Sequence, residues 1–304
     1  MYFAHLKSNI EHLKKGGVYF FDEANAKKVG TKNATFVPLS AIPQYTNQPI
    51  FFILRSGGIG DIVAMSILQN VAPKTVFLTQ KKYFPILKLW QKEPIMRHFD
   101  EPLFMAKNTK EFYNKLSEFG TLQGEDLIEE GYNKNWYELF SNAIGKTLIA
   151  GRPQLYKPEY FEIDACLIVS KSTTVNRSAN DFELKKIALK YFNKVDIAHD
   201  QQWTTQEYLE ALADYKFVIS TDTSAIHIRE GFQLPALGLY GAFTTESRTK
   251  YYQYTKSIDV INNCPIAPCF QHGYKPCSQN QNAPFAPCLT NYEQIETELK
   301  NYLL

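Results

Sequence analysis

Two short segments of the 304-residue chain carry the residue types that chemistry needs: Gly57-Gly58-Ile59-Gly60-Asp61 and Ser220-Thr221-Asp222-Thr223-Ser224-Ala225-Ile226-His227. Each follows a short apolar run and opens an apolar-periodic stretch, so each reads as a strand–turn–helix unit. Backbone N–H groups at a helix start lack an intrahelical partner and form a ready anion site. Glycines such as Gly58 and Gly60 let backbone approach a ligand closely. Asp222 is read as the helix cap, which leaves Thr223 and Ser224 to offer N–H and hydroxyl groups to a phosphate. Carboxylates and the His227 imidazole beside such turns point to a phosphate-containing substrate and acid–base chemistry. The plainer readings are a tight turn capped by Asp61 and a capped helix with a satisfied core histidine.

Two other phosphate motifs fail on spacing. A dinucleotide fingerprint starting at Gly58 needs glycine at residue 63, which is Val63, so a nicotinamide site is disfavoured. Gly145-Lys146-Thr147 looks like the end of a phosphate loop, but the position of that loop's first glycine is Phe140.

The elements that must hold these turns are legible in part. Leu6, Ile10 and Leu13 fall at helical spacing before Gly16-Gly17, and residues 31–49 read as a loop. Pro49–Arg55 and Thr75–Thr79 read as strands, with helices from Asp61 to about Val71 and over 81–91. Residues 95–150 are less clear, with helical patterns near 108–118 and 135–144. After Pro158, strands at 165–170, 194–199, 216–220 and 236–240 alternate with helices at 180–192, 204–213 and 222–232, and a helix over 291–303 closes the chain. Such alternation implies a parallel sheet with right-handed crossovers, which binds ligands at the carboxyl ends of its strands. The expected division is residues 1–155 and 156–304, two Rossmann-like α/β domains.

Composition narrows the classes. Hydrophobic residues make up 44% and charged residues 21% of the chain, as in a globular protein. A formal charge of +2 gives no argument for nucleic-acid binding. No apolar run is long enough to span a bilayer, and the first residues lack the pattern of a secretory leader, so the expected location is the cytoplasm.

In order and spacing, three segments resemble the heptosyltransferases of glycosyltransferase family nine. Asp222-Thr223-Ser224-Ala225-Ile226-His227 is followed by Gly231, Pro235 and Tyr240-Gly241. Arg55 with Gly60-Asp61 matches the family's early Arg…Gly-Asp segment. Ser172-Thr173-Thr174 with Arg177 is similar to its phosphate-binding turn. The resemblance covers roughly 50–90 and 160–292. It implies a GT-B architecture, two such domains facing one cleft, and metal-independent, inverting transfer from a nucleoside-diphosphate sugar to a hydroxyl. It further implies Asp61 as general base and Gly58, Gly60, Thr174, Arg177, Asp222, Thr223, Ser224 and His227 on the donor side. Ser224 replaces a usual glycine, Arg177 a common lysine, and His199-Asp200 a Gly-Glu pair, with Asp200 left to hold a ribose hydroxyl. The alternatives are a non-catalytic nucleotide-sugar-binding module, or the same transfer to a nucleic-acid base, a protein or a small metabolite.

Cys264, Cys269, Cys277 and Cys288 lie within 25 residues of one another, with prolines between them. Structural zinc on the four thiolates, with His272 as an alternative ligand, free thiols and disulfides are the three readings. Cys166 reads as a buried thiol in a strand.

Overall fold

Each strand expected from an apolar run is a strand in the computed structural model. The structure describes residues 2–6, 8, 18–21, 23–38, 50–54, 58–71, 74–98, 121–123, 133–159, 161–172, 174–260, 264–270, 277, 279 and 284–304. Arg55, Gly57, Thr173, His272 and the helix expected near 108–118 lie outside these residues. Two units divide the chain: residues 1–62 with 68–127, and residues 63–67 with 128–304.

The first unit opens with strands β1 (Tyr2–Leu6) and β2 (Val18–Phe21), helix α1 (Glu23–Asn33) and strand β3 (Ala34–Pro38). They form an antiparallel sheet of order β2-β1-β3. This corrects two expectations. Leu6 ends a strand instead of starting a helix, and the stretch expected as loop holds the end of α1 and all of β3. The run Tyr2–Leu6 is too short and too apolar for its period to separate strand from helix.

A parallel sheet follows: β4 (Ile50–Leu54), β5 (Lys74–Thr79), β6 (Ile95–His98) and β7 (Thr121–Gln123), in the order β6-β5-β4-β7. Between β4 and β5 lie helix α2 (Ile59–Ala64) and a 3-10 turn over Met65–Asn70. Helix α3 (Phe84–Leu87) comes after β5. Phe77 and Trp90 meet edge to face at 5.3 Å in this unit's core.

In the second unit the order is helix α4 (Trp136–Ala143), β8 (Ile163–Val169), α5 (Asp181–Ala188), β9 (Val195–Ile197), α6 (Thr205–Asp214), β10 (Tyr215–Thr221), α7 (Ser224–Gly231), β11 (Ala236–Tyr240), α8 (Thr245–Arg248), β12 (Thr255–Asp259) and α9 (Tyr292–Leu303). The five strands form a parallel sheet of order β12-β11-β10-β8-β9. Ile168, Ile219, Leu237 and Leu239 pack with Leu184 and Ile187 of α5 and with Ile295 and Leu299 of α9. Both faces of β11 are buried, as an all-parallel sheet requires. From β8 the chain first winds outward to β9, then returns to place β10 on the other side. The order therefore reverses between β8 and β10, where open α/β sheets bind ligands.

Two buried polar residues of α7, Arg229 and Glu230, fix it to its surroundings. Arg229, fully buried, donates from Nη1 to the carbonyls of Leu212 and Tyr215 (both 2.8 Å) and from Nη2 to those of Lys216 (3.1 Å) and Pro235 (2.6 Å). Glu230, also fully buried, accepts from the backbone N–H groups of Gln253, Tyr254 and Thr255 at 2.9–3.0 Å, and from the Thr255 hydroxyl. Hydrogen bonds to an ionised group are stronger than neutral ones, and their loss strands buried donors. Glu230→Ala is expected to destabilise the second unit by about 3 kcal/mol, read as a lower midpoint in urea-induced unfolding.

Candidate functional site

The site is built where β8 and β10 end side by side. Val169 pairs with Ser220 in register, so both strands deliver their following turns to one place. Ser220 Oγ donates to the Val169 carbonyl (3.1 Å) and lies 2.8 Å from Thr223 Oγ1. Thr221 Oγ1 donates to the Ser170 carbonyl at 3.4 Å. Hydroxyls thus lock the two turns together before any ligand arrives.

After β8, Thr174 leads into a 3-10 turn over Val175–Arg177. The Arg177 guanidinium is held at Nε by Thr174 Oγ1 (3.4 Å) and reaches across to the second turn. There its Nη1 donates to the Asp222 carbonyl at 3.2 Å and lies 3.6 Å from Asp222 Oδ2. Thr174, Arg177 and Asp222 are therefore one constellation, with Thr174 steadying the cation.

The cap is a correction. Thr223 caps α7, not Asp222: Thr223 Oγ1 accepts from Ala225 N at 3.3 Å, and the helix begins at Ser224. Ser220 holds Thr223 in this role. The shift releases the Asp222 carboxylate. Its Oδ2 is buried and has no hydrogen-bond partner among the described residues, only the Arg177 charge. A buried carboxylate oxygen of this kind is a ready acceptor for a ligand hydroxyl.

His227 turns away from the start of α7. It is almost wholly buried, and its Nδ1 lies 2.6 Å from the Tyr252 hydroxyl, which lies 2.5 Å from the Tyr137 hydroxyl. Burial pushes both tyrosines far above the ordinary phenol range, so both stay protonated. The Trp136 ring lies over His227 at 5.2 Å, and Arg248 sits 4.3 Å from both Trp136 and Phe243. Trp136, Tyr137, Tyr252 and Arg248 were missed in the sequence, since no spacing rule links α4 to α7. Tyr240, the last residue of β11, has a buried hydroxyl without a hydrogen-bond partner among the described residues. Burial first, and the Asp222 charge second, push its pKa up.

Asp200 ends the 3-10 turn that follows the edge strand β9, with an exposed side chain. Its Oδ1 is 3.5 Å from His199 Nε2, and that nitrogen is 3.0 Å from Asp181 Oδ2. Ser170 donates to the other Asp181 oxygen. In the first unit, Gly58 has φ 77°, a left-handed value that suits glycine, and Ile62 N–H closes on its carbonyl at 3.2 Å. Asp61 is buried in the first turn of α2. It follows the helix start at Ile59 and does not cap it.

The four clustered cysteines are free thiols. Cys288 is buried, and its pKa is pushed up to about 12 by burial first and by the nearby Cys264, Cys269 and Cys277 thiols. Among the described residues, however, no three His, Cys, Asp or Glu side chains form a group that could hold a metal ion. What the segment does is pack on the site. Phe270 N–H donates to the Ala242 carbonyl (2.8 Å) and Ala286 N–H to the Ser178 carbonyl (2.7 Å), next to Arg177.

The fold defined by these elements is GT-B-type α/β. No protein-family model matches the chain, and no curated protein matches it in sequence. Solved structures do match in fold. The Escherichia coli ADP-heptose lipopolysaccharide heptosyltransferase II is 11% identical, with 84% of this chain and 98% of that one covered and a TM-score of 0.57. TibC of enterotoxigenic E. coli, an iron-containing dodecameric glycosyltransferase, is 11% identical over 89% of this chain and 77% of its own, with a TM-score of 0.56. A heptosyltransferase complex of TibC with ADP-D-β-D-heptose gives 12%, 99%, 91% and 0.55 for the same four measures. A glycosyltransferase family nine protein of Veillonella parvula gives 10%, 84%, 97% and 0.53. The fold of this chain is thus that of the heptosyltransferases.

Gly241, which follows β11, is required by the cysteine segment. A Cβ there would lie 2.7 Å from Cys288 Sγ and 3.1 Å from Leu289 Cδ2. Gly241→Ala is expected to cost about 1–3 kcal/mol through overpacking, lowering Tm by roughly 2–4 °C per kcal/mol in a thermal scan.

Proposed function

We propose that the chain is an inverting glycosyltransferase that moves a sugar, heptose or another, from a nucleoside-diphosphate sugar to an acceptor hydroxyl. The observation that carries this reading is the meeting of Arg177, the Asp222 carboxylate and the start of α7 at the point where the strand order reverses. A cation and unpaired helix N–H groups suit the negative charge of a diphosphate leaving group. Asp222 Oδ2 is an acceptor for a sugar hydroxyl. The complex of TibC with ADP-D-β-D-heptose supports an ADP-sugar as the first donor to try.

In this scheme Arg177 and the α7 amides stabilise charge as the bond from the anomeric carbon to the diphosphate breaks. Preorganised donors of this sort are each worth roughly 3–4 kcal/mol of barrier. Asp61 takes the proton of the acceptor hydroxyl as its oxygen attacks the anomeric carbon. An ordinary carboxylate is a weak base for an alcohol, so proton loss is late and concerted with attack. No step runs through the cysteine segment.

Thermal unfolding against ADP, UDP, GDP, CMP and NAD tests the donor class. A bound ligand at a hundred times its Kd adds about 2.7 kcal/mol of stability. A rise in Tm with one nucleoside diphosphate, lost in Arg177→Ala, is expected. A rise with NAD alone, or with none of the five, would count against the proposal. Asp61→Ala should reduce turnover of the matching sugar donor by at least a hundredfold and leave nucleoside-diphosphate binding within a factor of about three, because the base does not touch the nucleotide. Turnover within tenfold of the parent would remove Asp61 from the mechanism.

A further inference from the structure

The Thr223 hydroxyl, expected to meet a phosphate, is already engaged. It accepts from Ala225 N and pairs with Ser220 Oγ. The hydroxyl that α7 has left to offer is that of Ser224, its first residue. A serine hydroxyl rotates between staggered positions and readily turns back on nearby backbone. Something must aim it if it is to serve a ligand.

Tyr208 of α6 is placed to do so. Its hydroxyl lies 3.3 Å from Ser224 Oγ. Burial pushes this phenol up to about 12, so it carries its proton throughout the neutral range. The residue is rigidly mounted. Tyr208 N–H donates to the Thr204 carbonyl at 2.9 Å. Thr204 and Glu207 close a capping box at the start of α6, with Glu207 N on Thr204 Oγ1 (3.2 Å) and Thr204 N on Glu207 Oε2 (2.7 Å). At the other end, Arg229 of α7 grips the Leu212 carbonyl. The capping box thus fixes the start of α6, and Arg229 ties the far side of the tyrosine to α7.

We propose that Tyr208 is a positioning residue of the nucleotide-sugar site: it donates to Ser224 Oγ and thereby directs the Ser224 proton outward, onto a diphosphate oxygen. The inference rests on the functional reading above and deepens it. Diphosphate oxygens are acceptors only, so an aimed donor helps and an unaimed hydroxyl helps less. A hydroxyl that accepts one hydrogen bond is also a better donor of the next. Tyr208 acts through Ser224 and touches no substrate itself.

The test is a double-mutant cycle read by calorimetric titration with ADP, UDP and GDP, each beside its nucleoside monophosphate. Ser224→Ala is expected to weaken binding of the preferred diphosphate about tenfold, and Tyr208→Phe about threefold or more, as the loss of a hydrogen bond to a charged group predicts. The Tyr208→Phe, Ser224→Ala double variant should bind no more weakly than Ser224→Ala alone. Thermal scans of all three variants check that the fold is retained. A merely structural tyrosine, or one acting through Thr223, would instead weaken the Ser224→Ala protein by a further similar factor. That result, or unchanged binding in Tyr208→Phe, overturns the role of Tyr208 and leaves the proposed function standing. Failure of the parent protein to bind any of the three diphosphates overturns both.

Discussion

A single ion pair, Arg177 with Asp222, spans the line at which the second sheet changes direction. Neither residue makes sense without the other. Asp222 is buried and lacks the amide partners that a capping aspartate has, so its charge needs a cation nearby. Arg177 comes from a different strand and crosses to supply one. Pairs of this kind add little net stability, because desolvation of both charges offsets their attraction. Their value lies in holding charge where a ligand will need it. A guanidinium that also grips the Asp222 carbonyl keeps its direction even if the carboxylate turns to another partner.

Holding that pair in register requires a stiff surround, and the sequence of α7 supplies it from within. Arg229 and Glu230 are adjacent and point to opposite neighbours. The first collects carbonyls near the end of α6, at the start of β10 and just before β11, the second the amides that lead into β12. A charged side chain with this many partners has one geometry, and so does the backbone that feeds it. The Phe243–Arg248–Trp136–His227 layers and the two tyrosine hydroxyls behind them do the same for the far side of the helix. His227 is thus a support for the turn, placed in the core by its bond to Tyr252.

How far the sequence revealed this depends on the range of the interaction concerned. Strands such as Ala236–Tyr240 are legible because burial on both faces demands an unbroken apolar run. Turns after β4, β8 and β10 are legible because their small and polar residues interrupt such runs. Thr174, Arg177 and Asp222 were found as separate motifs, and the structure joins them. The N-terminal strands were misread, since a run of five residues such as Tyr2–Leu6 carries no usable period. The cap was misplaced by one residue because aspartate is by itself at least as good an N-cap as threonine. What selects Thr223 is its contact with Ser220, three positions back and on the preceding strand. Tyr208, Trp136 and Tyr252 were invisible for a stronger reason. They reach the turn from α6, α4 and the segment after α8, and nothing local marks a tyrosine as pointing toward a serine on another helix.

The two turns also differ in what they leave unspent, and this bears on their division of labour. The turn before α2 uses a left-handed glycine and places its one carboxylate, Asp61, in the first helical turn. The turn before α7 spends a threonine on the cap and leaves a carboxylate, a serine hydroxyl and amides, with a guanidinium brought in from outside. A leaving diphosphate needs many donors and a fixed cation; an attacking hydroxyl needs one anion able to take a proton. The richer set of donors lies in the second unit and the single carboxylate of the turn before α2 in the first, the division of labour that the proposed transfer would use.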